Sequence, residues 1–202
     1  MTWSGQGVWL SIRLSSTLQL YHTETFECLQ DLDIQPCVEK MSSSLIFFLF
    51  QIKTTHFSFY YLAMEKTGLY FVHISALTTA CRRLWIGTGS GIIISIPLID
   101  GESSTYIPLC NINNAQLSVH GYCDAVKFFV PVPGQPSDDN AKTIQAKQSD
   151  SSFGDILVVS GGDGYMDFRS RNSTSIESND ELIESIRHVS YLVVWHLGSN
   201  GN

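Results

Sequence analysis

The sequence predicts an all-β fold, a partial β-propeller whose ring is incomplete, on three observations. Short apolar runs alternate with Gly-, Ser- and Asp-rich turns, and no 3.6-residue apolar period is sustained for the length of a helix. The runs recur in groups, the sequence form of small antiparallel meanders that bury their faces on one another. A strand that ends in a Gly-rich turn and leads into a second apolar strand occurs twice, at Ile86-Gly87-Thr88-Gly89-Ser90-Gly91-Ile92 and Val159-Ser160-Gly161-Gly162-Asp163-Gly164-Tyr165. An immunoglobulin-like sandwich, the rival arrangement, does not require that repetition.

The first unit, residues 1–41, reads as a partial blade of three strands. Val8 to Leu14 and Thr17 to His22 flank the polar pair Ser15-Ser16 as a hairpin, and Cys28 to Ile34 alternates apolar and polar residues up to the break at Pro36. The second, residues 65–112, offers strands at Phe71 to Ala80, Leu84 to Gly87 and Ile92 to Ile96, with a short fourth at Thr105 to Leu109 whose proline fits an end or a bulge. The third, residues 113–202, repeats the order with Ala125 to Val132, Ile156 to Ser160, Tyr165 to Phe168 and Tyr191 to Trp195. Two polar insertions, near 133–154 and 170–188, carry too few apolar residues to pack and read as surface loops, where added length costs little closure entropy.

Residues 42–64 differ from everything around them. Leu45 to Phe50 and Phe57 to Leu62 invite a membrane-anchor reading, yet Gln51, Lys53, Thr54, Thr55 and His56 lie between them, and a mid-helix Lys alone costs roughly 2.5–3.5 kcal/mol on insertion scales. Neither half reaches the roughly 20 residues a bilayer needs. A marginal membrane helix, a pair of buried strands and translated non-coding sequence in a faulty gene model compete. The third is favoured, because Phe, Leu, Ile, Tyr and Ser are what T-rich codons specify and because removal joins Met41 to Glu65 through a loop of ordinary length.

Composition narrows the function. Twelve Lys and Arg stand against nineteen Asp and Glu, a formal charge of -7, and no basic stripe is available to neutralise phosphates, so nucleic acid is not an expected partner. Cys28, Cys37, Cys81, Cys110 and Cys123 are odd in number and contain no C-x-x-C pair, which fits reduced thiols in the cytoplasm, and no signal peptide is readable at the N-terminus. His120 and Cys123 have a metal-like spacing but no second pair at a matching interval, so no metal and no cofactor is expected. Asn172-Ser173-Thr174 satisfies the glycosylation sequon and reads as an ordinary loop.

The motifs with a chemical reading each have a stronger structural one. Gly87-x-Gly89-x-Gly91 follows a strand as a dinucleotide loop would, but a β-branched run follows where a helix must begin, so these glycines are expected to supply positive φ in a hairpin. Ser90 is not centred in a G-x-S-x-G elbow. Asp163-Gly164 fits a tight turn needing an Asx hydrogen bond and a left-handed residue. Asp124 and His120 could form an acid/base pair, but such residues more often fix loops, and Asp124 is taken as a turn residue. Trp85 and Trp195 read as core, and Asp180, Glu181 and Glu184 as a solvated acidic face.

Several blocks in order carry a resemblance. They are Gly7 to His22 (Gly-Val-Trp-Leu-Ser-Ile-Arg-Leu-Ser-Ser-Thr-Leu-Gln-Leu-Tyr-His), Arg83 to Gly89, Ile94 to Leu98, Ala115 to Leu117 with His120-Gly121, Asp124 to Val130, Ser160 to Arg169 and Val193-Val194-Trp195. Together they resemble the C-terminal WD-repeat-like propeller of the JNK-interacting scaffold proteins of the Sunday driver type, over almost the whole chain outside 42–64 and the two insertions. The resemblance implies a non-enzymatic scaffold that gathers kinases of the JNK cascade and links vesicle cargo to kinesin light chain and dynein–dynactin under the control of small GTPases. It also implies a cytoplasmic location, on transport vesicles or perinuclear. Those partners bind mainly through coiled-coil regions, and this sequence has no long heptad run to receive them. Two departures stand out. Tyr122 follows Gly121 where His is usual, and His196 follows Trp195 where Asp is usual, so the hydrogen-bond set of such blades is expected to be incomplete. A propeller hydrolase and a protein anchored in a membrane by residues 45–64 are the alternatives.

Overall fold

The computed structural model describes residues 1–38, 72–99, 106–132, 157–167 and 189–196. Residues 42–64, both polar insertions, Asn172 and the acidic group at 180–184 lie outside them.

The first sheet is a four-stranded antiparallel meander of β1 (Thr2–Ser4), β2 (Gly7–Ser11), β3 (Thr17–His22) and β4 (Cys28–Asp33). It holds one strand more than the three read from the sequence. The extra strand, β1, is only three residues long and turns into β2 through Gly5, whose φ of +54° lets the chain reverse at once. Alternation sorts its residues: Trp9, Leu18, Leu20 and Leu32 point to one face and are 0–4% exposed.

The second sheet runs β5 (Ile74–Ala80), β6 (Arg83–Thr88), β7 (Ile93–Pro97) and β8 (Gln116–Leu117). Its fourth strand is β8, after the short 3₁₀ turn at Ile112–Asn114, and not the stretch ending at Leu109. Residues 106–109 are diverted to the first sheet: Tyr106 O accepts from Gln6 N at 2.8 Å, and Pro108 O accepts the buried indole N–H of Trp9 at 3.1 Å. A proline cannot donate to a ladder, but its carbonyl satisfies a tryptophan well.

The third sheet orders β10 (Val126–Val132), β11 (Leu157–Asp163) and β13 (Ser190–His196), while β12 (Tyr165–Asp167) leaves to pair with β9 (His120–Tyr122). This corrects the sequential order expected for this unit. Gly164 (φ +64°) makes a corner, not a hairpin, and its N–H donates to Val189 O at 2.9 Å, which delivers β13 to the edge of β11 in place of β12.

The sheets pack face to face. Trp9, Leu18, Leu20 and Leu32 of the first meet Leu84, Ile86, Ile94 and Ile96 of the second in one core. The opposite face of the second, Ala76, Trp85 and Ile93, joins Val126, Val158 and Tyr122 in another. Full burial of each large side chain contributes about 1.5–3 kcal/mol, so these interfaces dominate the stability. The first strands β1, β5 and β10 are neighbours in that order, and the sheets fan outward from them as propeller blades do.

Candidate interaction surface

At one end of the stack the turns converge. The β6–β7 turn is closed from within by Thr88, fully buried, whose hydroxyl accepts Ile92 N at 3.0 Å and reaches Ile92 O at 3.1 Å. Gly91 carries φ +79° there, and a Cβ on it would stand 2.0 Å from Tyr122 O and 2.7 Å from Asp124 O. Cys123 N donates to Asp163 O (3.1 Å) and Gly164 O (2.6 Å), and Asp124 N to Asp163 O (3.3 Å). Gly91, Asp124, Asp163 and Gly164, far apart in sequence, thus form one loop cluster.

Gly87 and Gly89 act through space and not through positive φ. A Cβ on Gly87 would meet Val126 Cβ at 2.5 Å, so the missing side chain is what lets the third sheet close on the second. A Cβ on Gly89 would fall 1.9 Å from the ring of His73, whose carbonyl takes Gly89 N at 2.9 Å.

The carboxylates of the cluster are engaged structurally. Asp163 accepts from Lys127 Nζ and from Ser190 Oγ (2.7 Å), and Asp124 Oδ1 accepts from Ala125 N (2.7 Å). His120 faces Asp167 at 3.8 Å, and its Nδ1 lies 2.7 Å from the Tyr165 hydroxyl with the two rings stacked. Tyr191 packs on Tyr165, with ring centroids 6.1 Å apart. An aromatic and polar ladder therefore runs beside the loop cluster along β9, β12 and β13. The sequence pointed to His120 but not to Tyr165 or Tyr191, because only the β9–β12 pairing brings them together.

Beneath this surface a buried polar chain ties the third sheet. Tyr122 Oη and Ser160 Oγ share a hydrogen bond of 2.7 Å, and Trp195 Nε1 donates to Ser160 Oγ at 2.9 Å. The replacement at position 122 keeps a hydrogen bond to this serine: the longer tyrosine reaches Ser160 itself, and Gly162 leaves room for its ring, since a Cβ there would sit 2.5 Å from Tyr122 Cγ. Burial pushes the Tyr122 phenol above its ordinary pKa, against the lowering effect of its hydrogen bonds to Ser160 and the Val193 backbone. Trp195 in turn packs on Trp85 at 5.9 Å.

At the opposite end a cleft of about 350 Å³ opens between the first two sheets, lined by Ser4, Thr79 to Arg82, Leu98 and Tyr106. Its lip is the β5–β6 turn, where Cys81 and Arg82 both hold positive φ (+53° and +54°), a conformation that favours Gly or Asn. None of the five cysteines is in a disulfide, and among the described residues no three His, Cys, Asp or Glu side chains gather as a metal site. No helix among them is long and apolar enough to cross a membrane.

Small antiparallel sheets stacked on one another, with their turns gathered at one end, define a β-propeller repeat module. Residues 1–155 match the WD40 repeated domain, and the chain belongs to that family. It is similar to JNK-interacting protein 3 of Drosophila melanogaster, 45% identical over 98% of this chain and 15% of that protein. It is similar also to human C-Jun-amino-terminal kinase-interacting protein 4, 38% identical over 84% of this chain and 14% of that protein. Human Rho guanine nucleotide exchange factor 17 is 26% identical over 96% of this chain and 10% of its own length. The chain spans about 15% of the length of the JNK-interacting relatives it matches. No solved structure matches it.

Proposed function

We propose that the chain is a protein-binding module without catalysis, part of a JNK-pathway scaffold that also serves as a motor–cargo adaptor in vesicle transport. The observation that carries the binding role is the loop cluster of Gly91, Asp124 and Asp163-Gly164, flanked by Tyr165, His120 and Tyr191, on a rigid sheet stack. Aromatic side chains held by neighbours supply contact area at low entropic cost, the usual make-up of binding hot spots. The carboxylates at this end hold loops and Lys127, a positioning role.

The names of the relatives support JNK-cascade kinases as the associated pathway. Similarity to a differently named exchange factor supports a portable module. Kinesin light chain, dynein–dynactin and small GTPases are proposed partners of the larger assembly, which places the chain in the cytoplasm, on vesicles or near the nucleus. The test is affinity capture from cell extract with the chain immobilised, alongside a His120→Ala/Tyr165→Ala variant of unchanged unfolding midpoint. Proteins retained by the first and lost by the second are expected. Identical retention on both would remove this surface from the binding role.

A further inference from the structure

The turn between β2 and β3 is built against backbone preference. Ser15 N donates to Ile12 O at 3.1 Å, which puts Arg13 and Leu14 at the tip, and Leu14 takes φ +61°, a left-handed conformation that disfavours a residue with a Cβ. Ile12 and Leu14 are 52% and 59% exposed, Arg13 is exposed between them, and none of residues 11–17 is buried. The stretch can therefore be drawn out into an extended chain without uncovering Trp9 or Leu18, the nearest core side chains on either side.

The base of the turn is where three elements meet. Ser16 Oγ donates to Asp33 Oδ1 at 2.7 Å in a bond that lies at the surface, and the same carboxylate oxygen accepts Gln35 N at 3.0 Å just beyond β4. Ser16 O accepts Ile34 N at 3.1 Å, and Ser15 O accepts Ile74 N at 3.2 Å where β5 begins. His73, one residue earlier, gives its carbonyl to Gly89 N in the β6–β7 turn, so this corner braces the end of the stack that carries the loop cluster.

Arg13 stands three residues before Ser16. Among the described serines and threonines only Ser190 shares that spacing, after Arg187, and it is held in β13 opposite Asp163 with its hydroxyl donated to that carboxylate at 2.7 Å. An enzyme that grips the arginine with its own carboxylates needs the acceptor on an extended chain, which a strained surface turn can supply and a paired strand cannot.

We propose that Ser16 is a phosphoacceptor for a protein kinase that reads an arginine three residues before its target, and that the phosphate releases the turn from Asp33. In the transfer Ser16 Oγ attacks the γ-phosphorus of a nucleoside triphosphate. The new O–P bond forms as the bond to the bridging oxygen breaks, the nucleoside diphosphate leaves, and the hydroxyl proton passes to the kinase's catalytic carboxylate. The serine loses the proton it donated to Asp33 and gains a charge of roughly -1.5 to -2 beside that carboxylate, so attraction becomes repulsion. This inference is independent of the binding role of the loop cluster.

The test incubates the folded chain with the catalytic subunit of cAMP-dependent protein kinase and Mg-ATP, with phosphate located by mass spectrometry. Phosphate is expected on Ser16 well ahead of Ser190, absent from position 16 in Ser16→Ala, and introduced about tenfold more slowly in Arg13→Ala. Arg13 is exposed, so the unmodified Arg13→Ala variant should keep the wild-type urea midpoint. Phosphorylation should lower the midpoint of the wild type and leave that of Asp33→Asn unchanged, because asparagine keeps the acceptor oxygen and removes the charge. No phosphate on Ser16, equal rates at Ser16 and Ser190, a rate indifferent to Arg13, or a midpoint that phosphorylation does not move would each overturn the proposal.

Discussion

Tyr122 Oη lies 2.7 Å from Ser160 Oγ in the interior of the third sheet, and the same serine oxygen takes the Trp195 indole N–H. One hydroxyl thus fastens β9 to β11 and β11 to β13. Tyr122→Phe removes the hydrogen bonds to Ser160 and to the Val193 backbone but leaves Ser160 with Trp195, so a loss of about 1–2 kcal/mol is expected. Ser160→Ala takes this partner from both the buried Tyr122 hydroxyl and the part-buried Trp195 indole N–H, and its cost should reach about 2–3 kcal/mol. Urea midpoints of the two variants, with the serine variant lower, are the check.

The glycines can be ranked by what an added methyl group would strike. Gly91→Ala meets backbone oxygens at 2.0 and 2.7 Å at φ +79°, so neither neighbour nor backbone can yield, and about 3 kcal/mol or more is expected. Gly87→Ala presses on Val126, 0% exposed and wedged between two sheets, at about 2 kcal/mol. Gly161→Ala meets only the Phe128 ring at 2.3 Å, and that ring is 41% exposed and free to swing, so the cost should stay near 1 kcal/mol. Any other order of thermal midpoints would contradict this account.

The turn at Cys81-Arg82 places two side chains in the left-handed region, which costs roughly 1–2 kcal/mol per residue. Cys81→Asn/Arg82→Gly supplies the pair preferred for a two-residue hairpin. A gain of about 1 kcal/mol in chemical denaturation is the expected outcome, with Arg83 still clamping Ser95 and Gln116.

How far the sequence revealed this architecture follows from the range of each signal. Alternation placed β3 at Thr17–His22 and located the central strands, because a half-buried strand writes its period locally. The departures come from pairing at a distance. β1 is too short to show a period, β8 is less apolar than the nearby stretch that serves the first sheet through Pro108 O, and β12 reads as a neighbour of β11 because a glycine corner and a glycine hairpin look alike in sequence. The loop cluster was legible as separate turns. Its assembly required the register of three sheets, and the Tyr122–Ser160 pair was invisible because a tyrosine in a histidine position looks like a loss.

Cys110 gives the chain a pH dependence. Burial pushes its thiol up to about 12, from an ordinary 9.0, so the folded state holds the proton that the unfolded chain releases more easily. The sign follows: this contribution is fully present below pH 9 and is lost as pH rises toward 12, at no more than about 1.4 kcal/mol per pH unit. The raised Tyr122 phenol acts in the same direction. Urea midpoints measured from pH 8 upward should fall, and Cys110→Ala, though less stable at pH 8, should show a shallower decline.

The backbone of the same residue carries the contact that joins the first two sheets at their outer edge. Gln30 Nε2 donates to Cys110 O at 2.6 Å while Gln30 Oε1 accepts Cys110 N at 3.1 Å, so one carboxamide stands in for a neighbouring strand. Gln30→Ala leaves both backbone groups to water, since the site is only partly buried, and should cost about 1 kcal/mol. Gln30→Glu keeps the shape and the acceptor but turns a charged oxygen toward a carbonyl oxygen. It should be the worse of the two above its carboxylate pKa and should recover in acid, where a protonated carboxyl can donate again. A glutamate variant as stable as wild type at pH 7 would show that the two sheets are held by their apolar faces alone.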